Sequence, residues 1–325
     1  MLFEARPTGP GCRSPLADSI DPLAWGVPAA LADRYQLRGF EGFSDAVISS
    51  TSQVLGKVML WSCPIRRSGD SSPDPRDIGD SAGLAGGPID RPATDFGEAT
   101  VVGEWVDGGT DTESEGGSGR RWIIAEHVDG HHLAERSHPI NPQRAVELLA
   151  GSLQWRRDQL FGASATVVEP STILSDIRTR LAGVDGEAID LSPAYRHMAM
   201  ERLVEILAVG VDHQEPARSA TAHGDARLCN VIATPELATI VGFEPGLVIS
   251  PLSDLVTAAT DVAERFGPML VPVLFESSGH AGVDPVAVDW WALAHELLRV
   301  ADTVGMARDA TLAGVINPAE PGATP

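Results

Sequence analysis

Lysine is nearly absent from this chain: of 24 basic residues one, Lys57, is a lysine and the rest are arginines. Acids outnumber bases 45 to 24, a formal charge of −21. That balance argues against a nucleic-acid partner, because the phosphate backbone selects basic surfaces. It is compatible with a cationic small molecule, although acidity also simply keeps a protein soluble. Cysteine is scarce, and Cys12, Cys63 and Cys229 are odd in number and far apart. They make neither a disulfide framework nor a CxxC metal pair and read as thiols of a reducing compartment. No apolar run approaches the length of a membrane span, and no internal repeat is present. The first residues, MLFEARPTGPGCRSPLADS, lack the basic and apolar segments of a secretory signal. The expectation is a cytoplasmic protein with no membrane partner, and 325 residues suffice for one large domain or two lobes.

Hydrophobic periodicity divides what is there. Residues 1–27, rich in Pro, Gly and Ser, form a tail. From 28 to 127 the pattern is strand-like: Tyr35–Arg38, Ala46–Ile48, Val54–Trp61, Ala99–Val106 and Arg121–Val128. A glycine-bearing turn, Gly39 to Asp45, lies between the first two, and a Gly/Pro-rich insertion occupies about 66–97. From 128 to 305 the period is helical, with Arg144–Phe161, Thr172–Ala182, Ala194–Val209, Leu252–Phe266 and Val286–Val300 expected as amphipathic helices. Asn141-Pro142 signals a helix start and Gly267 a stop. A tail, 306–325, follows. The fold class expected is α+β.

The chemistry concentrates in Thr221-Ala-His-Gly-Asp-Ala-Arg-Leu-Cys-Asn-Val-Ile-Ala. Phosphoryl transfer asks a protein for a carboxylate to orient the attacking hydroxyl, for metal ligands and for a cation on the phosphates. Asp225 and Asn230, five residues apart on a loop entering a strand, can aim a carboxylate and a carboxamide at one phosphate, as in a kinase catalytic loop. An ordinary polar turn is the alternative for so short a motif.

Beyond that loop the sequence resembles the aminoglycoside phosphotransferases. His223 to Asn230 looks like their HGDxxxxN, and a hairpin (Thr234–Ile240), Ile240-Val-Gly-Phe-Glu and Pro251-Leu-Ser-Asp-Leu follow in the family's order. Trp290-Trp-Ala-Leu-Ala-His-Glu-Leu resembles its later aromatic helix, and Trp122-Ile-Ile-Ala-Glu-His-Val-Asp-Gly its hinge. The resemblance covers residues 221–300 with few gaps. It implies a bilobal, protein-kinase-like fold, with 28–127 the smaller lobe and 128–305 the larger, and ATP and Mg2+ as cofactors. It implies Asp225 as catalytic base, with His223 and Asp254 shaping the loop and Asn230 a metal ligand. Gly39, Gly42 and Ser44 would cover the phosphates, and Glu126 and Val128 would meet the adenine. Asp261, Glu264 and Glu296 fall where the substrate is met.

Two positions depart from the family. Its second metal aspartate is Gly242 here, and Glu244, two residues on, is the nearest carboxylate. Its phosphate lysine is matched by Lys57, although that place could equally be Trp61 or Ser62; Glu98 is the acid considered as the lysine's partner. His127, His131, His132 and His138 lack a completing Cys or carboxylate and read as surface histidines. Two functions are therefore carried forward. One is an ATP-dependent kinase acting on the hydroxyl of a small, cationic or sugar-like molecule. The other is a pseudokinase that keeps the fold and binds a ligand or protein.

Overall fold

The structure, a computed structural model, describes residues 27–42, 47–64, 95–106, 120–135, 140–158, 166–182, 191–214, 221–234 and 237–316. In chain order, α1 (Ala29–Tyr35) leads into β1 (Leu37–Gly42), β2 (Val47–Ser52), β3 (Gly56–Pro64), β4 (Asp95–Glu98), β5 (Val101–Val106), β6 (Arg120–Glu126) and β7 (His131–His132). Then come α2 (Pro142–Arg157), β8 (Thr166–Val167), α3 (Pro170–Leu181), α4 (Met200–Gly210), β9 (Val231–Ala233), β10 (Leu237–Ile240), β11 (Leu247–Val248), α5 (Pro251–Phe266), α6 (Val271–Ser277) and α7 (Pro285–Ile316). The fold is α+β, with strands leading and helices following. No helix of the described residues is long and apolar enough to cross a membrane.

Local chemistry sets the element ends. Asn141 caps α2 through its side chain, which accepts the Arg144 N–H at 2.8 Å, and Pro142 opens the helix. Ser250 and Pro251 do the same for α5, which stops at Gly267 with φ +89°. Three expectations are corrected. The glycine turn at Gly39 is instead a bulge inside β1, where Gly39 takes φ +64° and the register against β2 shifts between Arg38 and Glu41. The strand expected from Val54 begins at Gly56, because the Ser52 hydroxyl accepts the Val54 and Leu55 N–H groups and turns the chain there. The helix expected from Ala194 begins at Met200, and residues 193–197 form turns. The helices α1 and α6 were not expected.

The main sheet is antiparallel in the order β1-β2-β3-β6-β5. Alternation along β3 sends Val58 and Leu60 to one face, against Leu31 and Ala32 of α1. It sends Met59, Trp61 and Cys63 to the other, against Ile232, Ile240, Val241 and Phe243. That second core fastens the hairpin β9–β10 and the segment after it to the sheet.

The chain divides into two compact units, one from Val168–Pro216 with Val283–Pro325, the other from Ala5–Val167 with Ala217–Gly282. This division runs along different lines from the lobes expected at 28–127 and 128–305. The second core explains why: β3 and β6 share it with β9, β10 and Phe243, so the loop after Thr221 stays with the sheet. Most of the 66–97 insertion lies outside the described residues. In the first unit, α7 buries Trp290 and Trp291; the Trp290 indole N–H donates to Leu207 O at 2.9 Å.

Candidate functional site

Helix α5 holds the candidate loop at two points. Asp254, in its first turn, accepts the N–H groups of His223 at 2.6 Å and Gly224 at 2.9 Å. Asp261, two turns on and therefore on the same helical face, accepts the Leu228 N–H at 2.8 Å and pairs with Arg265 at 3.1 Å. Gly224 takes φ +86°, and a Cβ there would lie 2.9 Å from the Leu247 side chain. Only glycine passes that point without a shift. His223 is buried, and its burial, then the Arg156 charge, pushes its pKa down to about 4. It is therefore neutral: Nε2–H donates to Val241 O at 3.0 Å while Nδ1 accepts the Asp225 N–H at 3.2 Å. Burial raises the Asp254 carboxyl pKa in spite of its two N–H donors.

Asp225 stands on the rigid bend so made. Both its carboxylate oxygens are taken by Arg227, Nε to Oδ1 at 2.7 Å and Nη2 to Oδ2 at 2.6 Å. The Asn230 amide donates to Asp225 O at 2.8 Å and to Oδ2 at 3.0 Å. Burial acts to raise the Asp225 carboxyl pKa, but the Arg227 charge and these hydrogen bonds hold it below the usual carboxylate range. Asp225 is therefore ionised at neutral pH. Its side chain is 34% exposed and that of Arg227 31%, so the pair is reachable from solvent.

The segment facing this loop departs from what magnesium needs. Gly242 takes φ +71°, and a Cβ there would lie 3.1 Å from both Cγ and Oδ1 of Asn230. Asn230 itself is 0% exposed. Glu244 is buried, its N–H donates to His223 O at 3.0 Å, and its carboxylate lies against Gly224, Oε2 being 3.7 Å from that residue's absent Cβ. Among the described residues no three His, Cys, Asp or Glu side chains converge as metal ligands. Magnesium demands near-octahedral oxygen coordination. As they stand, the Asn230 amide is fully buried and the Glu244 carboxylate is set against the Gly224 turn.

Lys57 opens β3, exposed, opposite Thr51. It shares a face with Met59 and Trp61 but lies two residues short of the buried core. Trp61 of β3 reaches the Gly242-Phe243-Glu244 segment: its indole N–H donates to Phe243 O at 2.8 Å, and the two rings lie 5.4 Å apart between centroids, tilted by 54°. Glu98, considered for Lys57, pairs instead with buried Arg156. Arg156 also donates to Ala222 O at 2.9 Å and lies 4.2 Å from the Phe243 ring centroid. Burial lowers its pKa, although Glu98 and Asp254 oppose that shift.

The remaining expected residues are scattered. Gly39 and Gly42 lie in β1; Ser44 falls outside the described residues. Glu126 ends β6 with its N–H on Thr100 O at 2.9 Å, and Val128 packs against the second core. Of the three acids placed toward a substrate, Glu264 is exposed. Asp261 serves the loop backbone, and Glu296 accepts the Ser192 N–H at 2.6 Å and pairs with Arg299 within its own unit. Sequence reasoning missed Arg227, Arg156 and the Trp61 indole. Arg227 could have been found, since a cation two residues after the key acid is plain in HGDARLCN. Arg156 had no local signal, because its partners Glu98 and Ala222 lie 58 and 66 residues away.

No family model matches the chain, and no curated protein does. Solved structures are similar to it. An aminoglycoside-3'-phosphotransferase of type VIII is similar over 78% of this chain and 89% of its own, at 17% identity and TM-score 0.49. Aminoglycoside phosphotransferase APH(3'')-Id from Streptomyces rimosus, in complex with ADP and streptomycin, covers 86% of this chain and 99% of its own at 16% identity and TM-score 0.49. A microcompartment-associated aminopropanol kinase covers 83% and 92% at 13% identity and TM-score 0.36. Among solved structures, then, the chain is similar to two aminoglycoside phosphotransferases and a small-molecule kinase.

Proposed function

We propose that the chain is an ATP-dependent phosphotransferase acting on a hydroxyl of a small molecule. One observation carries this: Asp225 presents an ionised, solvent-reachable carboxylate on a loop clamped by Asp254 and Asp261. Such a group can accept a hydrogen bond from a substrate hydroxyl, orient it toward a phosphoryl group, and take its proton as the bond to phosphorus forms. Preorganisation matters here, since positioning supplies most of the catalysis in phosphoryl transfer. Arg227 and Asn230 fix the carboxylate, and the neutral His223 fixes the bend beneath it. ATP as donor rests on the resemblance of residues 221–300. A formal charge of −21 favours a cationic acceptor over an anionic one. Glu264, exposed on α5, is the acid proposed to meet it, and the cytoplasm is the expected place. A screen of hydroxyl compounds against ATP turnover tests the proposal. Asp225→Asn keeps size and polarity but removes the base, so turnover should fall at least about a hundredfold. Unchanged turnover in that variant would remove Asp225 from catalysis.

Gly242 favours a second reading, a pseudokinase that binds a ligand or protein without transfer. Where the resemblance implies a carboxylate, the Asn230 amide fills the place of a side chain. A nucleotide that raises the melting temperature, with no turnover of any acceptor, is the result this reading expects.

A further inference from the structure

We propose that Arg227 supplies the positive charge at this loop that a divalent cation would otherwise supply, so that the site takes up a nucleotide's phosphates without a metal ion. The inference rests on the phosphotransferase reading of the loop. It begins from the mismatch with magnesium: Asn230 is sealed beneath Gly242, and Glu244 lies against Gly224. Negative charge arriving beside Asp225 still needs a counter-charge, because phosphoryl transfer depends on electrostatic stabilisation.

The cations of this unit differ in what they can offer. Arg156 is buried, its side chain 5% exposed, and is engaged by Glu98 and Ala222 O. Arg265 pairs with Asp261. Lys57 stands at the start of β3, and the β3 side chain that reaches the facing segment is the neutral indole of Trp61. Arg227 combines exposure with position: its side chain is 31% exposed, and its guanidinium lies 2.6–2.7 Å from both oxygens of the proposed base. A guanidinium is a planar fork of five N–H donors that matches carboxylate and phosphate alike. Held there, it can share itself between Asp225 and a phosphate oxygen, keeping acid and phosphoryl group within reach of one another. Asp225 partly neutralises it, and removing that carboxylate's charge should strengthen its hold on an anion.

The test is calorimetric titration of the full chain with ATP, with magnesium and with EDTA, on wild type, Arg227→Gln, Arg227→Lys and Asp225→Asn. Wild-type affinity should change by less than about threefold when magnesium is removed. In EDTA, Arg227→Gln should bind at least about tenfold more weakly, the loss of one charge-assisted contact. Arg227→Lys should retain part of the affinity, as a point charge without the fork. Asp225→Asn should bind more tightly than wild type in EDTA, an effect that a merely structural Arg227–Asp225 pair would not produce. Thermal melts identify a misfolded variant; should Arg227→Gln fail to fold, the Lys and Asn variants decide. Binding that requires magnesium, or Arg227→Gln binding as wild type does in EDTA, overturns the inference, as does the absence of ATP binding in both conditions. Metal-independent, Arg227-dependent binding without turnover of any acceptor upholds it while removing the phosphotransferase reading.

Discussion

Restoring a carboxylate at position 242 is the obvious way to rebuild a metal site, and the structure sets the cost of doing so. Gly242 has φ +71°, and its missing Cβ would lie 3.1 Å from Asn230 Cγ and Oδ1 and 3.3 Å from Nδ2. The left-handed backbone costs a residue with a Cβ about 1–2 kcal/mol. Crowding a sealed amide that also holds Asp225 adds about 1 kcal/mol, the low end for overpacking. Gly242→Ala, which carries both costs without a charge, should therefore lose about 2–3 kcal/mol in urea unfolding. Gly242→Asp suffers less backbone strain, since aspartate tolerates this region better. It places a second carboxylate beside Asn230 and Asp225, however, and should be no more stable than the alanine variant. It should also fail to tighten magnesium-ATP binding, because Asn230 must move before any ion can reach the new carboxylate. An alanine variant within about 0.5 kcal/mol of wild type, the spread of neutral substitutions, would refute the reasoning. So would an aspartate variant that binds magnesium-ATP more tightly than wild type.

Three further outcomes are expected. His223 has a folded pKa pushed down to about 4 against 6.5 unfolded, so the unfolded chain binds more protons between those values. Its contribution is full above about pH 6.5 and lost as pH falls towards 4, by about 3 kcal/mol; urea melts at pH 7 and pH 4.5 should show a smaller drop for His223→Gln than for wild type. Asp254→Ala leaves the buried His223 N–H and the partly buried Gly224 N–H without their acceptor and should cost about 1–3 kcal/mol, read as a lower urea midpoint; burial strain on the charged carboxylate offsets part of the loss. Trp61→Phe keeps the ring but orphans Phe243 O and should cost about 1–2 kcal/mol, with indole fluorescence and urea melts as the check.

The parts legible in the sequence are those whose causes lie within a few residues. Asn141-Pro142 and Gly267 mark helix ends because capping and proline at the first turn act locally. The order of His223, Asp225, Asn230 and Asp254 was readable because a loop and the helix after it follow one another along the chain. The third strand was readable from its apolar run, though not what would cover it. Tertiary structure decided the rest. It turned Asp261 towards Leu228 rather than towards a substrate, since which side of α5 meets the loop depends on packing. It joined Trp61 to Phe243 across 182 residues and Arg156 to Glu244 O across 88, contacts without any local periodicity. It showed Gly242 to be more than a missing ligand: the left-handed turn and the amide pressed against it make glycine the residue that fits. The identity of each chemical group was written in the chain, but whether Asn230 could face a metal, or Arg227 the base, depended on what the fold laid against them.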